Sequence, residues 1–339
     1  MKVQRLESTD GFVVFDLTDA DAADGVVRLA PKVLVDGATW LARSMTYRFA
    51  LFELRRGGAS AGINAREGRD QAIAAAVAEL APSVAAGSLV LDPGKGVPPD
   101  ALDPWREVDP RPAAVVADQA RWVALSAVAG VGAVAGEIDG RRVAIEGFDG
   151  AGPALAAALV EQGARIVAVA TAEGCVERPE GFAADELAAA WQAEGPGLVG
   201  VLGASPSTPA AVLGVDADVL FVGSKAGVVD HGAAAAVSAA VVVPSGPVPV
   251  TAKALAVLQR AGTLVLPDFL TTAGPSLAAW AAPASVDDDA RRAVVVEAVT
   301  AVGGELRGGA DGPLLAACHR AEAFLATWQD TLPFGRPLA

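Results

Sequence analysis

The run Gly147-Phe148-Asp149-Gly150-Ala151-Gly152 follows an apolar stretch and opens an Ala-rich helical pattern, the setting in which a glycine-rich turn cradles a pyrophosphate. In such a turn the first glycine makes the tight bend and the last lets helix and strand pack closely; Gly147 and Gly152 stand at those places. The middle position, where bare backbone normally approaches the phosphate, carries Asp149. Two like charges about 4 Å apart repel by roughly 4 kcal/mol at an effective dielectric of about 20. A helix N-terminus returns only ~0.3–2 kcal/mol of favourable anion interaction. Dinucleotide binding is therefore expected to be weak unless Asp149 turns away or is protonated. Gly150 offers a partial escape, a turn re-registered as G-x-x-G-x-G; glycines that merely make a turn in an inherited fold are an equal alternative.

Two further stretches belong to the same chemistry. An acid that holds the ribose hydroxyls is expected near the end of the second strand of such a unit, and Thr171 occupies that place, with Glu173 two residues on as a solvated loop glutamate. Gly223-Ser224-Lys225 ends another expected parallel strand, where open α/β sheets bind ligands. A Ser/Lys pair there, or Ser245, Thr251 and Lys253 after the next strand, could hold an anion or take part in catalysis. Helix-capping hydroxyls and solvated lysines are the blander reading and the favoured one. His231 reads as an exposed loop histidine.

The elements that must position these residues are legible in outline. Strands are expected at residues 12–17, 25–29 and 88–92, helices at 37–53 and 70–81, and a Gly-rich turn at 57–62. The Pro/Gly/Asp-rich stretch 93–112 marks a domain boundary. Beyond it come a long helix at 115–134, a strand at 141–148, a helix at 153–161 and a strand at 165–170. This strand–loop–helix–strand order is a βαβ unit and implies a parallel sheet. Further strands are expected at 198–202, 219–222, 240–244 and 263–266, and amphipathic helices at 291–303 and 314–327.

Composition sets the outer limits. At 339 residues two domains are the default expectation. A hydrophobic fraction of 53% against 19% charged residues fits a well-buried globular protein. The net charge of -14 argues against a nucleic-acid partner, which requires a basic face. Cys175 and Cys318, the only two cysteines, show no metal or redox spacing; with only two histidines as well, no metal site is expected, and a reducing cytoplasmic setting is. MKVQRLESTDGF lacks the apolar core of a signal peptide. Apolar runs elsewhere are too short or too broken by proline to span a bilayer.

Several stretches together resemble the glutamate/leucine/phenylalanine/valine dehydrogenase family. Leu41-Ala42-Arg43-Ser44-Met45-Thr46-Tyr47-Arg48-Phe49-Ala50 and Gly57-Gly58-Ala59-Ser60-Ala61-Gly62-Ile63 are similar to its substrate-domain signature. Residues 143–148, 163–169, Asp218-Val219-Leu220-Phe221 and Val265-Leu266-Pro267-Asp268 continue the likeness in the family's order. The resemblance implies an α/β fold: a Rossmann-type dinucleotide-binding domain over 116–304, and an α/β substrate and oligomerisation domain over 1–115 completed by the C-terminal segment 305–339. It also implies NAD or NADP as cofactor, a homo-oligomer, and oxidative deamination of an amino acid, with a small carboxylate or amino-acid metabolite as ligand. Gly147, Asp149, Gly150, Gly152, Thr171, Gly223 and Ser224 are the positions it assigns to the cofactor.

At the family's functional positions the chain departs from the pattern. The substrate-carboxylate lysine falls on Arg48, which keeps the charge and can clamp a carboxylate bidentately. Gly58 lies at the family's substrate-binding turn. The catalytic lysine falls on Ser60, which cannot supply a cation to polarise a carbonyl. The catalytic aspartate falls on Asp92, followed by the unusual Pro93-Gly94-Lys95. A nicotinamide threonine falls on Asp118, and two asparagines fall on Pro247 and Thr272. Three functions are compatible with this pattern: an NAD(P)-dependent oxidoreductase acting on the CH–NH2 group of amino acids, a non-catalytic paralogue that binds a metabolite or pairs with an active subunit, or a different reaction on the same scaffold.

Overall fold

The computed structural model describes residues 1–203 and 206–339. The chain divides into two compact units, Met1–Ala114 with Cys318–Pro337, and Val115–Ala317 with Leu338–Ala339.

The first unit is built on a five-stranded mixed sheet of order β1-β2-β4-β3-β5. Its strands are β1 (Lys2–Arg5), β2 (Gly11–Phe15), β3 (Ala23–Ala30), β4 (Gly57–Asn64) and β5 (Leu89–Pro93). Helix α1 (Val35–Leu51) covers one face and α2 (Arg69–Ala85) the other. Alternation along the strands sorts the core in two. Val13, Val27, Leu29, Ala61, Ile63 and Leu91 join Ile73, Val77 and Leu80 of α2, while Phe12 and Val14 join Ala38 and Ala42 of α1. Two short helices follow, α3 (Asp103–Arg106) and α4 (Ala113–Ala117).

Residues 57–62 form the central strand β4 rather than a turn. The glycines there serve packing: a Cβ on Gly58 would lie 1.8 Å from the Ala42 carbonyl oxygen of α1. Only glycine lets the helix lie that close to the strand.

The second unit carries a six-stranded sheet of order β11-β10-β9-β6-β7-β8. Helix α5 (Gln119–Ala135) leads into β6 (Arg142–Glu146), α6 (Gly152–Glu161), β7 (Arg165–Thr171) and β8 (Gly174–Phe182). Then come α7 (Ala184–Glu194), α8 (Leu198–Leu202), β9 (Val219–Val222), α9 (His231–Ala234), β10 (Val241–Pro244), α10 (Ala252–Arg260) and β11 (Leu264–Val265). Helices α11 (Asp268–Thr271), α12 (Gly274–Trp280) and α13 (Asp288–Leu306) complete it, and α14 (Pro313–Leu325) passes back towards the first unit's share of the chain. Every pairing in this sheet is parallel except β7 with β8.

Three expectations are corrected here. Leu198–Leu202 is helix, not strand; five apolar residues carry no decisive period. The helix expected over 115–134 is two, broken at Asp118, whose side chain caps α5 by accepting from the Arg121 N–H at 3.2 Å. Strand β8 was not expected, and its Pro179 is tolerated because β8 is an edge strand.

Candidate functional site

In the second unit the chain runs β6, β7, β8 to one side and β9, β10, β11 to the other, so the order reverses between β6 and β9. Ligands of open α/β sheets bind at the carboxyl ends of the strands beside such a reversal. A cavity of about 210 Å³ lies there, its lining including Ala124, Ile145, Gly147, Asp149, Gly223 and Pro247. Gly147 has φ +81°, and a Cβ on it would stand 2.5 Å from the Ser224 nitrogen. The β6 and β9 loops can touch only because this residue is glycine.

Several of the donors that would meet a phosphate are already engaged. Asp149 Oδ1 accepts from the Ala151 N–H at 2.9 Å, and the Asp149 carbonyl accepts from the Gly152 N–H at 2.9 Å. Pro153, next in α6, has no N–H to give. Glu146, at the end of β6 and buried, accepts from the Gly223 N–H at 3.0 Å and the Ser224 N–H at 3.1 Å. Two carboxylates thus hold the backbone donors of both loops. Asp149 is exposed as a residue. Burial, more than the negative charge of Glu146, raises its pKa against the opposing pull of the N–H bonds.

Gly150 faces open space and lacks a positive φ, so the re-registered turn is not required. Gly152 is needed for packing, since a Cβ there would stand 2.7 Å from the Phe148 ring. Thr171 is buried; its hydroxyl donates to the Pro196 carbonyl at 2.7 Å and accepts from the Glu173 N–H at 3.1 Å. Glu173, Ser224, Lys225, His231 and Lys253 are exposed. Thr251 caps α10, accepting from the Ala254 N–H at 3.1 Å. Thr272 is buried and donates to the Asp268 carbonyl at 2.7 Å. Next to Pro247, Val248 is buried with φ +50°, a strained conformation for a β-branched residue; the Asp268 carboxylate holds it in place by accepting from its N–H at 2.9 Å.

In the first unit, Ser60, Val26 and Asp92 are register partners across β4, β3 and β5 and share one face of the sheet. Ser60 is fully buried and its Oγ has no hydrogen-bond partner. Gly58 gives its N–H to Thr46 Oγ1 at 2.9 Å, so its role in the structure is to let α1 pack. Arg48 is buried in the last turn of α1.

Asp92 is not a free carboxylate. Arg111 Nη1 donates to its Oδ2 at 2.9 Å and Nη2 to its Oδ1 at 2.8 Å, while Asp109 takes a third bond from Nη2 at 2.8 Å. Arg111 is deeply buried. Burial alone would lower its pKa, but the hydrogen bonds and charges of Asp109 and Asp92 outweigh that and raise it. With both oxygens held by a guanidinium fork, Asp92 is poorly placed to take or give a proton. Sequence reasoning missed Arg111; the one local signal was the Asp109-Pro110-Arg111-Pro112 turn, in which the Arg111 N–H donates to Asp109 Oδ1.

A parallel sheet reversing at a glycine loop, with helices before and after, defines a Rossmann-type unit, and the mixed sheet under α1 and α2 is the companion layout of amino-acid dehydrogenases. Residues 123–279 match the model of the glutamate/leucine/phenylalanine/valine dehydrogenase family, which the chain resembles. Glutamate dehydrogenase of Thermotoga maritima is 34% identical over 134 residues, 39% of this chain and 32% of that protein. Glutamate dehydrogenase A2 of Halobacterium salinarum is 29% identical over 282 residues, 74% of this chain and 66% of that protein. The matches therefore span from about a third to just under two thirds of these relatives' lengths. Among solved structures, the hetero-hexameric glutamate dehydrogenase of Thermus thermophilus in its Leu-bound form superposes with a TM-score of 0.76 at 25% identity, covering 95% of this chain and 86% of that one. L-tryptophan dehydrogenase of Nostoc punctiforme, at 18% identity and a TM-score of 0.66, covers 98% and 97% and shares the fold. No helix among the described residues is long and apolar enough to cross a membrane.

Proposed function

We propose that this chain is a non-catalytic member of its family, a cytoplasmic protein that binds a small carboxylate metabolite and assembles with copies of itself or with an active paralogue. The observation that carries this reading is the Asp149 carboxylate bonded to the Ala151 N–H, with Glu146 bonded to Gly223 and Ser224. A pyrophosphate would have to displace two anions or sit against them, so these residues do not suit NAD or NADP. Support comes also from Ser60, which supplies no cation to polarise a carbonyl, and from Asp92, whose oxygens are engaged by Arg111. On this reading residues 1–115 and the C-terminal segment are the ligand-binding and oligomerisation domain, and 116–304 keep the nucleotide-domain fold without its use.

Assembly with a paralogue is favoured by one resemblance: the Thermus thermophilus structure is described as hetero-hexameric. The test is calorimetric titration with NADH and NADPH at millimolar concentration, beside an amino-acid deamination assay. No heat and no turnover is the expected result. Stoichiometric cofactor binding with turnover would restore the alternative, an NAD(P)-dependent oxidoreductase acting on amino acids with altered machinery.

A further inference from the structure

The cavity of about 210 Å³ at the β6–β9 reversal is walled mostly by apolar atoms, with Val123 and Ala124 of α5, Ile145 of β6, Leu155 of α6 and Pro247 around it. Only two of its lining side chains carry polar atoms, Asp149 and Ser245. Lys, Arg, His and aromatic side chains are absent from its lining among the described residues. At roughly 30 Å³ for each water it has room for about seven, or for a chain of about as many heavy atoms.

The charge in this lining is therefore negative and has no counterion. Asp149 makes no ion pair among the described residues, and the only charged group acting on it is a second acid, Glu146. Glu146 is tied to the same wall, its carboxylate accepting from the Gly223 N–H at 3.0 Å. Asp149 Oδ1 accepts from the Ala151 N–H at 2.9 Å, which leaves Oδ2 for a donor from outside. The Ser245 side chain is half-buried, and its hydroxyl has no hydrogen-bond partner among the described residues, so a second acceptor lines the space. An uncompensated carboxylate favours a cation, and the rest of the lining selects among cations. A hard divalent ion needs about six oxygens around it, which these apolar walls do not supply. A quaternary ammonium is held by aromatic faces, and none lines the cavity. A guanidinium binds best through paired oxygens, and one of this pair is already used. A primary ammonium fits: it is compact, offers three donors to single acceptors, and carries a body that apolar walls can cover.

We propose that this cavity binds a small primary amine in its protonated form, the ammonium meeting the Asp149 carboxylate and the alkyl body lying against Ala124, Ile145 and Leu155. Such a site lies beyond the carboxylate-binding role given to the first unit. It rests on the reading that the glycine loop no longer takes a dinucleotide, so NADH is included among the probes below.

The test is calorimetric titration of the full-length protein with straight-chain primary amines from propylamine to octylamine, the alcohols of matching length, hexanoate, alkyltrimethylammonium ions and NADH. Amines should bind saturably at one site per chain. Affinity should rise about fourfold with each methylene, the equivalent of about 0.8 kcal/mol, until the chain outgrows the cavity at about six carbons. Alcohols, hexanoate and the trimethylammonium ions should bind at least tenfold more weakly. Asp149→Asn keeps an acceptor for the Ala151 N–H, so the loop should hold its shape while amine affinity falls at least about fivefold. Ala120→Leu, at a half-buried lining position, adds bulk to the cavity and should weaken hexylamine far more than propylamine. The net charge of -14 attracts any amine to the surface, but that attraction is indifferent to Ala120→Leu and does not saturate at one site. Amine binding unchanged in either variant would overturn the proposal, as would binding without saturation, equal affinity for the alcohols, or no amine binding at all. If neither amines nor NADH bind, the amine site alone falls; if NADH binds and amines do not, the loop reading falls with it. Amine and NADH binding together would defeat the loop reading and leave the amine site standing on the two variants.

Discussion

Replacing Asp149 by asparagine removes one charge and keeps the geometry, because an amide oxygen can still accept from the Ala151 N–H. If a phosphate stood about 4 Å from this carboxylate, repulsion would be about 4 kcal/mol at an effective dielectric of 20 and about 1 kcal/mol at that of water. The residue opens to solvent, so the lower figure is the safer guide. Asp149→Asn should then improve NADH affinity at least about fivefold, which follows from 1 kcal/mol, with roughly 10³-fold as the ceiling. Glu146 remains in place in this variant, so affinity should still fall short of an ordinary dinucleotide site. Salt should narrow the difference between the two proteins, since exposed charges are screened within about 10 Å at 0.1 M.

The same substitution has a stability consequence whose sign is fixed. The Asp149 pKa is raised in the folded protein, so its contribution to stability is fully present below the unfolded pKa and is lost as pH rises through the folded value. Asp149→Asn should therefore gain on the wild type in neutral solution and lose that gain on acidification. Fluorescence titration with NADH and denaturant unfolding at several pH values give both readings. Equal NADH affinity in the two proteins, with a stability difference independent of pH, would refute the electrostatic account of this loop.

Four further outcomes are expected. Gly58→Ala, placing a methyl 1.8 Å from the Ala42 carbonyl, should destabilise the first unit by more than the ~1–3 kcal/mol of ordinary overpacking; a midpoint in urea matching the wild type would contradict this. Arg111→Met leaves Asp92 and Asp109 without their shared cation and should cost about 3–5 kcal/mol, with partial recovery when Asp92→Asn is added; a double variant no more stable than the single one would break the argument. The Glu322 pKa is subject to burial, which raises it, but hydrogen bonds from Arg336 and Tyr47 prevail and lower it, so its contribution is present above the ordinary glutamate range and lost as pH falls. Proteolysis beyond Leu325 should quicken in acid, and Glu322→Gln should flatten that pH dependence. Burial pushes the Cys175 thiol up to about 11, so it should resist a thiol reagent at neutral pH until the protein is unfolded; rapid labelling of the native protein would count against the burial.

What the sequence disclosed and what it hid follow a physical division. Strands β9 and β10 were legible because both faces of a parallel sheet are covered, leaving unbroken apolar runs at residues 219–222 and 241–244. The glycine loop was legible because backbone conformation needs particular residues at particular places, as the φ of Gly147 confirms. At residues 57–62 that logic misled, since glycine also serves where a helix must approach a strand, and local sequence does not separate the two uses. The charged positions were the least legible. Asp92 stands out in the sequence, but nothing there shows that Arg111, nineteen residues on, binds both its oxygens. Asp149 was visible as an intrusion, and its bond to the Ala151 N–H gives that intrusion a physical meaning: the loop carries its own anion. Donors of this site are met by acceptors from within the chain, and the charge those acceptors carry would repel a phosphate. Restoring cofactor binding should therefore require changing Glu146 as well as Asp149.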